Sequence, residues 1–160
     1  MIAEYTTPDE VRAVLGVDVT DIEDSTLGLT VYENYLTMEL EEVSLTLPAT
    51  FTSTAAIASP TDAELRFLNS AKLFATFALA KQLSGSLPLF ALKQETDGKA
   101  QATRFDNPYK DVISSVKKEY DRAKTKLMQA FTALGSSSAS VTARVYFTKV
   151  GLGTDPITNV

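Results

Sequence analysis

The chain has 160 residues, which is enough to bury the core of one domain without disulfides or a structural metal. It contains no Cys, His or Trp, and this excludes thiol and imidazole nucleophiles and nearly every zinc or haem ligand set. Residues 1–64 contain 13 acids and one base, whereas residues 65–160 contain 7 acids and 14 bases, so the two parts carry net charges of −12 and +7.

This separation of charge has two interpretations. The two parts either neutralise each other inside the fold, or they give the subunit one acidic and one basic flank. Flanks of opposite charge favour head-to-tail rings of identical subunits. The sequence alone leaves both interpretations open.

The first predicted helix spans residues 7–16. Thr7 is an N-cap residue with Glu10 three positions later, and Pro8 occupies the first helical position. Gly16 follows the apolar residues where a left-handed C-terminal residue is expected. The buried stripe of this helix is predicted to be Val11, Val14 and Leu15.

A long helix is predicted next, from about residue 24 to residue 43. Acidic residues lie at its start, where the helix dipole favours negative charge. Its apolar residues recur at steps of three or four and form two neighbouring stripes, which predicts a broad buried face. The first stripe is Leu29, Tyr32, Leu36, Leu40 and Val43, and the second is Leu27, Val31, Tyr35 and Met38.

Residues 44–60 are rich in Thr, Ser, Ala and Pro and are predicted to form a loop with extended pieces. A second capping box, Thr61 with Glu64, then opens a helix over residues 61–84 that is apolar on almost every side. We expect it to be the central helix of the fold. Its most apolar stretch, residues 73–80, is far shorter than the roughly 20 residues needed to cross a bilayer, so no membrane partner is expected.

The remaining part of the predicted domain holds a small β-hairpin over about residues 89–105, with Asp97 and Gly98 in its turn. A last amphipathic helix is predicted over residues 108–134, ending at Gly135. The predicted fold is therefore mainly α, a bundle of about four helices with a small hairpin, over residues 1–135.

Residues 136–160 are predicted to be a Ser-rich linker followed by an extended C-terminal arm. An exposed strand at the end of a linker favours pairing with another protein, so we expect residues 141–149 to dock on another subunit. Removing residues 136–160 should then leave a folded protein that fails to assemble. The predicted interface residues of the arm are Val141, Arg144, Val145, Tyr146, Phe147 and Lys149.

No catalytic, cofactor or metal site is predicted, and we do not expect an enzyme. The acidic cluster of residues 18–24 lacks the spacing of a calcium loop and is better explained by helix capping. Glu39, Glu41 and Glu42 could flank a magnesium ion, but a solvated acidic face is the favoured interpretation. The last helix has a basic side, which suits a subunit contact or, alternatively, nucleic acid phosphates. This side comprises Lys117, Lys118 and Arg122, with Lys110, Lys124 and Lys126 nearby.

Taken in order, the elements of residues 5–134 resemble the head–tail connector adaptors of tailed bacteriophages. The most similar phrase is PDEVRAVLGV, residues 8–17, and Asp97-Gly98 matches the hairpin turn expected there. The long loop of residues 44–60 and the tail of residues 136–160 depart from that layout.

The resemblance implies a structural virion protein of the neck, made in the cytoplasm of a host bacterium, with no enzymatic activity and no cofactor. Such subunits form a ring, usually dodecameric, which bridges the portal protein to the stopper or tail. DNA passes through the ring without sequence-specific binding. The alternatives are another neck or tail-completion protein and a small nucleic-acid-binding regulator.

Overall fold

A computed structural model of the protein describes residues 2–86, 94–96, 101–103 and 109–138, and this part of the chain is mainly helical, as predicted. Most of it is built from helices that pack around one long central helix. In chain order these helices are α1 (Ile2–Tyr5), α2 (Pro8–Leu15), α3 (Asp24–Leu27), α4 (Thr30–Val43), α5 (Leu47–Ala55), α6 (Asp62–Ser84) and α7 (Lys110–Ser138).

Helix α2 begins and ends as its sequence predicts. The Thr7 hydroxyl accepts a hydrogen bond from the Glu10 amide at 3.3 Å, and the Glu10 carboxylate accepts one from the Thr7 amide at 2.9 Å. At the other end Gly16 is left-handed, with φ of 69°, and its amide donates to the Arg12 carbonyl. The helix thereby buries Val11 and Leu15, whereas Val14 is only partly buried.

Replacing Gly16 with alanine should lower the free energy of unfolding by roughly 1–2 kcal/mol, because a side chain strains the left-handed backbone. Gly28 is the matched control, since its φ is −78° and an added Cβ would meet its nearest atoms at 3.6 Å. Gly28→Ala should therefore be neutral or stabilise by up to about 1 kcal/mol. Urea unfolding of both variants measures the difference, and equal losses would contradict the backbone argument.

The prediction of one helix over residues 24–43 is wrong, because the helix is interrupted at Gly28 and Leu29, between α3 and α4. Leu29 is extended, with φ of −68° and ψ of 138°. A continuous helix would place Leu27 and Val31 on one face. The break instead buries Leu27 and leaves Val31 60% exposed, so the second predicted stripe is not a buried face.

The prediction of a loop over residues 44–60 is also wrong, because Leu47–Ala55 form helix α5. Pro48 lies in the first turn, where a missing amide costs no helical hydrogen bond. Leu47, Phe51 and Thr54 are buried at helical spacing. The Phe51 ring stacks on Tyr5, with their centroids 4.0 Å apart. Burial of this face stabilises a helix of low intrinsic propensity.

Helix α6 is the centre of the described core, as predicted. Its N-terminus has the predicted capping box, in which Thr61 accepts from the Glu64 amide and donates its own amide to the Glu64 carboxylate. It packs against α1, α2, α4, α5 and α7. Its fully buried apolar residues are Phe67, Ala71, Phe74, Ala75, Ala78, Leu79 and Ala80.

Helix α7 packs along α6 and buries a stripe at steps of four, three and four residues. It continues through Gly135 to Ser138, so the predicted end at Gly135 is wrong and the first three residues of the predicted linker are helical. A glycine inside a helix costs only about 1 kcal/mol, and Gly135 does not stop this one. The buried stripe is Val116, Tyr120, Ala123 and Leu127.

Two short segments between α6 and α7 pair as antiparallel strands, β1 (Gln94–Thr96) and β2 (Gln101–Thr103), with Gln94 opposite Thr103. The rest of the predicted hairpin of residues 89–105, including the turn at Asp97 and Gly98, lies outside the described residues. The hairpin as a whole therefore stays a prediction.

Candidate interaction surfaces

A buried carboxylate joins the three longest helices that the structure describes. Glu39 of α4 is only 8% exposed, and the interpretation of it as part of a solvated acidic face is wrong. Tyr35 donates its hydroxyl to one carboxylate oxygen at 2.5 Å, and Tyr120 of α7 donates to the other. The Lys81 ammonium of α6 lies 3.5 Å from Glu39 and 3.7 Å from the centroid of the Tyr120 ring.

The charge of Glu39 is held in place by these partners. Burial by itself raises the pKa of Glu39, but the hydrogen bonds from Tyr120 and Tyr35 and the charge of Lys81 outweigh it and lower the pKa below the ordinary 4.5. Burial and the neighbouring carboxylate raise the pKa of both tyrosines. At neutral pH the cluster is therefore a carboxylate that accepts from two protonated hydroxyls, and it fixes α4 against α7.

Arg12 organises the acidic segment that follows α2. Its guanidinium is buried and donates to the Ile22 carbonyl at 2.9 Å and to the carboxylates of Asp9 and Asp24 at 2.6 Å each. A buried guanidinium that makes all these bonds is a rigid anchor. The segment is thus held through the Ile22 carbonyl and the Asp24 carboxylate, while Asp18, Asp21 and Glu23 are exposed.

The carboxylates of α1 to α4 and their connections form an acidic surface. The described ion pairs between the acidic and basic parts of the chain join Glu39 to Lys81 and Glu42 to Lys124, the latter at 2.8 Å. Most of the other carboxylates are exposed, so the first interpretation, neutralisation inside the fold, accounts for little of the charge. The exposed members of the acidic surface are Glu4, Asp9, Glu10, Asp18, Asp21, Glu23, Asp24, Glu41 and Glu42.

The outer side of α7 is a basic face, which we define as Lys117, Lys118, Arg122 and Lys126. Positions 118, 122 and 126 are one helical turn apart, and all four side chains are exposed. Arg122 lies 3.6 Å from Glu119, but a pair this exposed contributes little. The structure therefore brings together three predicted interface residues, Lys117, Lys118 and Arg122. The other six, at positions 141–149, lie outside the described residues.

Helix α4 and the residue Leu45 just beyond it present an apolar line that the sequence interpretation missed. Val31, Met38 and Leu45 are 60%, 68% and 82% exposed. The prediction of Val31 and Met38 in a buried stripe is therefore wrong. The seven-residue spacing of these positions places Val31 and Met38 on one side of the helix. This spacing is the sequence signal that could have identified the apolar line. Glu41 and Glu42 flank this line at the end of α4.

An open groove of about 680 Å³ runs between the first half of α6 and the second half of α7. Its lining combines alanines with polar and charged side chains. The groove joins the basic face at Lys126. Its lining comprises Ala63, Ala130 and Ala133 with Asp62, Arg66, Asn69, Ser70, Lys126 and Gln129.

Within the described ranges, no three Asp or Glu side chains are grouped so that they could hold a metal ion. The described helices include none that is both long enough and apolar enough to span a bilayer. Comparison with known proteins finds no family model, no curated protein and no solved structure that matches this chain.

Proposed function

We propose that this chain is a structural virion subunit, a head–tail connector adaptor that assembles into a ring between the portal and the stopper or tail. The observation that carries the proposal is the pairing of an exposed acidic surface with an exposed basic face on one helical frame. Identical subunits with two such surfaces attract each other through different faces, and contacts of this kind form rings when the rotation closes.

The frame is suited to an assembly role because its charged surfaces are fixed from beneath. The Glu39 cluster holds α4 against α7, and Arg12 holds the acidic segment against α2. Surfaces that are already ordered lose less entropy when they bind. The layout that resembles the connector adaptors supplies the partners, which are a portal protein and a stopper or tail protein.

The proposal is tested by the mass of the purified full chain in solution and by electron microscopy of the chain alone and mixed with portal particles. We expect a ring, or a monomer that decorates the portal as a ring. A protein that does neither is not an adaptor. Decoration of a tail end without contact to the portal would favour another neck or tail-completion protein.

The basic face favours one second candidate, a nucleic-acid-binding regulator. Lys118, Arg122 and Lys126 could contact successive phosphates, and such binding weakens steeply with salt. Retention of the free protein on DNA at low salt, lost in the double variant Lys118→Glu, Arg122→Glu, would support this candidate. Absence of retention removes it and leaves the adaptor.

The predicted docking arm gives a separate expectation. Because α7 extends to Ser138, the sharper truncation removes residues 139–160 and leaves the helix intact. This variant should unfold at the same urea midpoint as the full chain and should fail to join portal particles. The prediction of a docking arm is wrong if the truncated protein assembles normally, and it is also wrong if the truncated protein does not fold.

A further inference from the structure

We propose that the apolar line, made of Val31 and Met38 of α4 and of Leu45 just after it, docks on the basic face of α7 in a second copy of this chain. The inference rests on the proposed function, since it names the contact between neighbouring subunits of the ring. It depends on α4 with Leu45 and on α7, and it needs no part of the arm.

The apolar line is unusual for a surface that stays in water. Single exposed apolar side chains are common, but two large ones on one side of α4, with a third just beyond its C-terminal end, mark an interaction site. Val31 and Met38 are separated by two helical turns, about 10.5 Å, which is the spacing that a partner helix can cover. The described part of the chain leaves all three mostly uncovered, at 60%, 68% and 82% exposure.

The charges around the line select the kind of partner. Glu41 is exposed beside it, Glu42 is exposed there although it pairs with Lys124 of the same chain, and α4 has no basic residue in its last turn. A partner that covers the line must therefore carry positive charge next to an apolar contact. An acidic partner would leave carboxylates facing carboxylates, which opposes association.

The basic face of α7 has this chemistry. Lys118, Arg122 and Lys126 are exposed one turn apart, and Met128, 50% exposed, lies on the Lys117 side of the helix because eleven residues make about three turns. An unbranched methionine adapts to an irregular apolar partner. Both halves of the contact thus occur on this chain, on different helices, so a second copy satisfies α4 without any further partner.

The absence of cysteine in the sequence allows a direct test by crosslinking. Full-length Met38→Cys protein is mixed with full-length Met128→Cys protein carrying a mass tag, and a short bismaleimide is added. We expect a heterodimer that joins position 38 of one copy to position 128 of the other. The matched control replaces Met38→Cys with Ile57→Cys, since Ile57 is 41% exposed but lies outside α4. A yield no higher than this control overturns the proposal.

Charge reversal tests whether the basic face is responsible. Lys118→Glu with Arg122→Glu in the Met128→Cys partner should lower the crosslink yield at low salt by on the order of tenfold. Adding Glu41→Lys to the Met38→Cys partner should restore most of it. Lys72→Glu, an exposed base on α6, is the control and should leave the yield unchanged. Equal loss with Lys72→Glu would overturn the assignment to α7.

The experiments distinguish failure of the proposed α4–α7 contact from failure of the proposed ring. A ring imaged on portals without the crosslink overturns the α4–α7 contact and leaves the adaptor proposal standing. The crosslink in a protein that never exceeds a dimer upholds the contact and contradicts the ring. If the crosslink is absent and the protein binds duplex DNA, nucleic acid occupies the basic face and the proposal is overturned.

Discussion

Replacing Glu39 with alanine is expected to lower the free energy of unfolding by about 2–4 kcal/mol, whereas the same change at the exposed Glu41 should have little effect. Glu39 is 8% exposed and accepts hydrogen bonds from Tyr35 and Tyr120. Its removal leaves the Tyr120 hydroxyl without its acceptor and Lys81 without its carboxylate. The cost is that of unpaired polar groups at the meeting point of three helices.

Urea unfolding of Glu39→Ala measures this loss as a lower midpoint at an unchanged slope. Glu41→Ala is the control, because Glu41 is exposed on the same helix, and its effect should stay within about 0.5 kcal/mol. If the two variants lose the same stability, the cluster is not structural.

The same carboxylate predicts a pH dependence. The pKa of Glu39 is lower in the folded protein than its ordinary 4.5, so the unfolded chain binds the proton more readily. The stability contributed by its charge is therefore complete above about pH 4.5 and is lost as the pH falls through the folded value. The difference between the native protein and Glu39→Gln should be constant near neutrality and should shrink in acid. A difference that does not change with pH would contradict the charged state.

Replacing Phe67 with alanine is expected to be the most damaging single change in the described core, at about 3–5 kcal/mol. The Phe67 side chain is fully buried and lies between two other helices. Its ring centroid is 6.4 Å from that of Phe51 in α5 and 5.8 Å from that of Phe131 in α7. The variant loses apolar burial and leaves a cavity where α5, α6 and α7 meet.

Thermal and urea unfolding of Phe67→Ala should both show this loss. Leu73→Ala provides the comparison on the same helix, because Leu73 is 43% exposed and should cost less than about 1 kcal/mol. A small loss of stability in Phe67→Ala, together with an unchanged helix content in circular dichroism, would mean that the Phe67 ring does not hold α5.

The boundaries that the sequence determined are those set by interactions within four residues of the chain. The capping boxes of Thr7 and Thr61 and the left-handed Gly16 need only their near neighbours, and all three are confirmed. The apolar character of residues 61–84 on almost every side predicted α6, and the three-to-four-residue periodicity predicted the buried side of α7. It also predicted the exposure of Lys118 and Arg122, because a polar stripe opposite an apolar one has to face water.

Tertiary structure decided the parts in which burial outweighs local preference. Helix α5 has little propensity of its own and is stabilised by packing Phe51 on Tyr5, a residue 46 positions earlier in the chain. The break before α4 determines that Leu27 is buried and Val31 is exposed, although both fit one helical stripe. The partners of Glu39 on other helices lie 42 and 81 positions away in the chain. The local sequence pattern therefore shows Glu39 only as one glutamate in an acidic run. Such contacts form only when the helices pack, and they determine which charged side chains are buried in the core and which remain exposed.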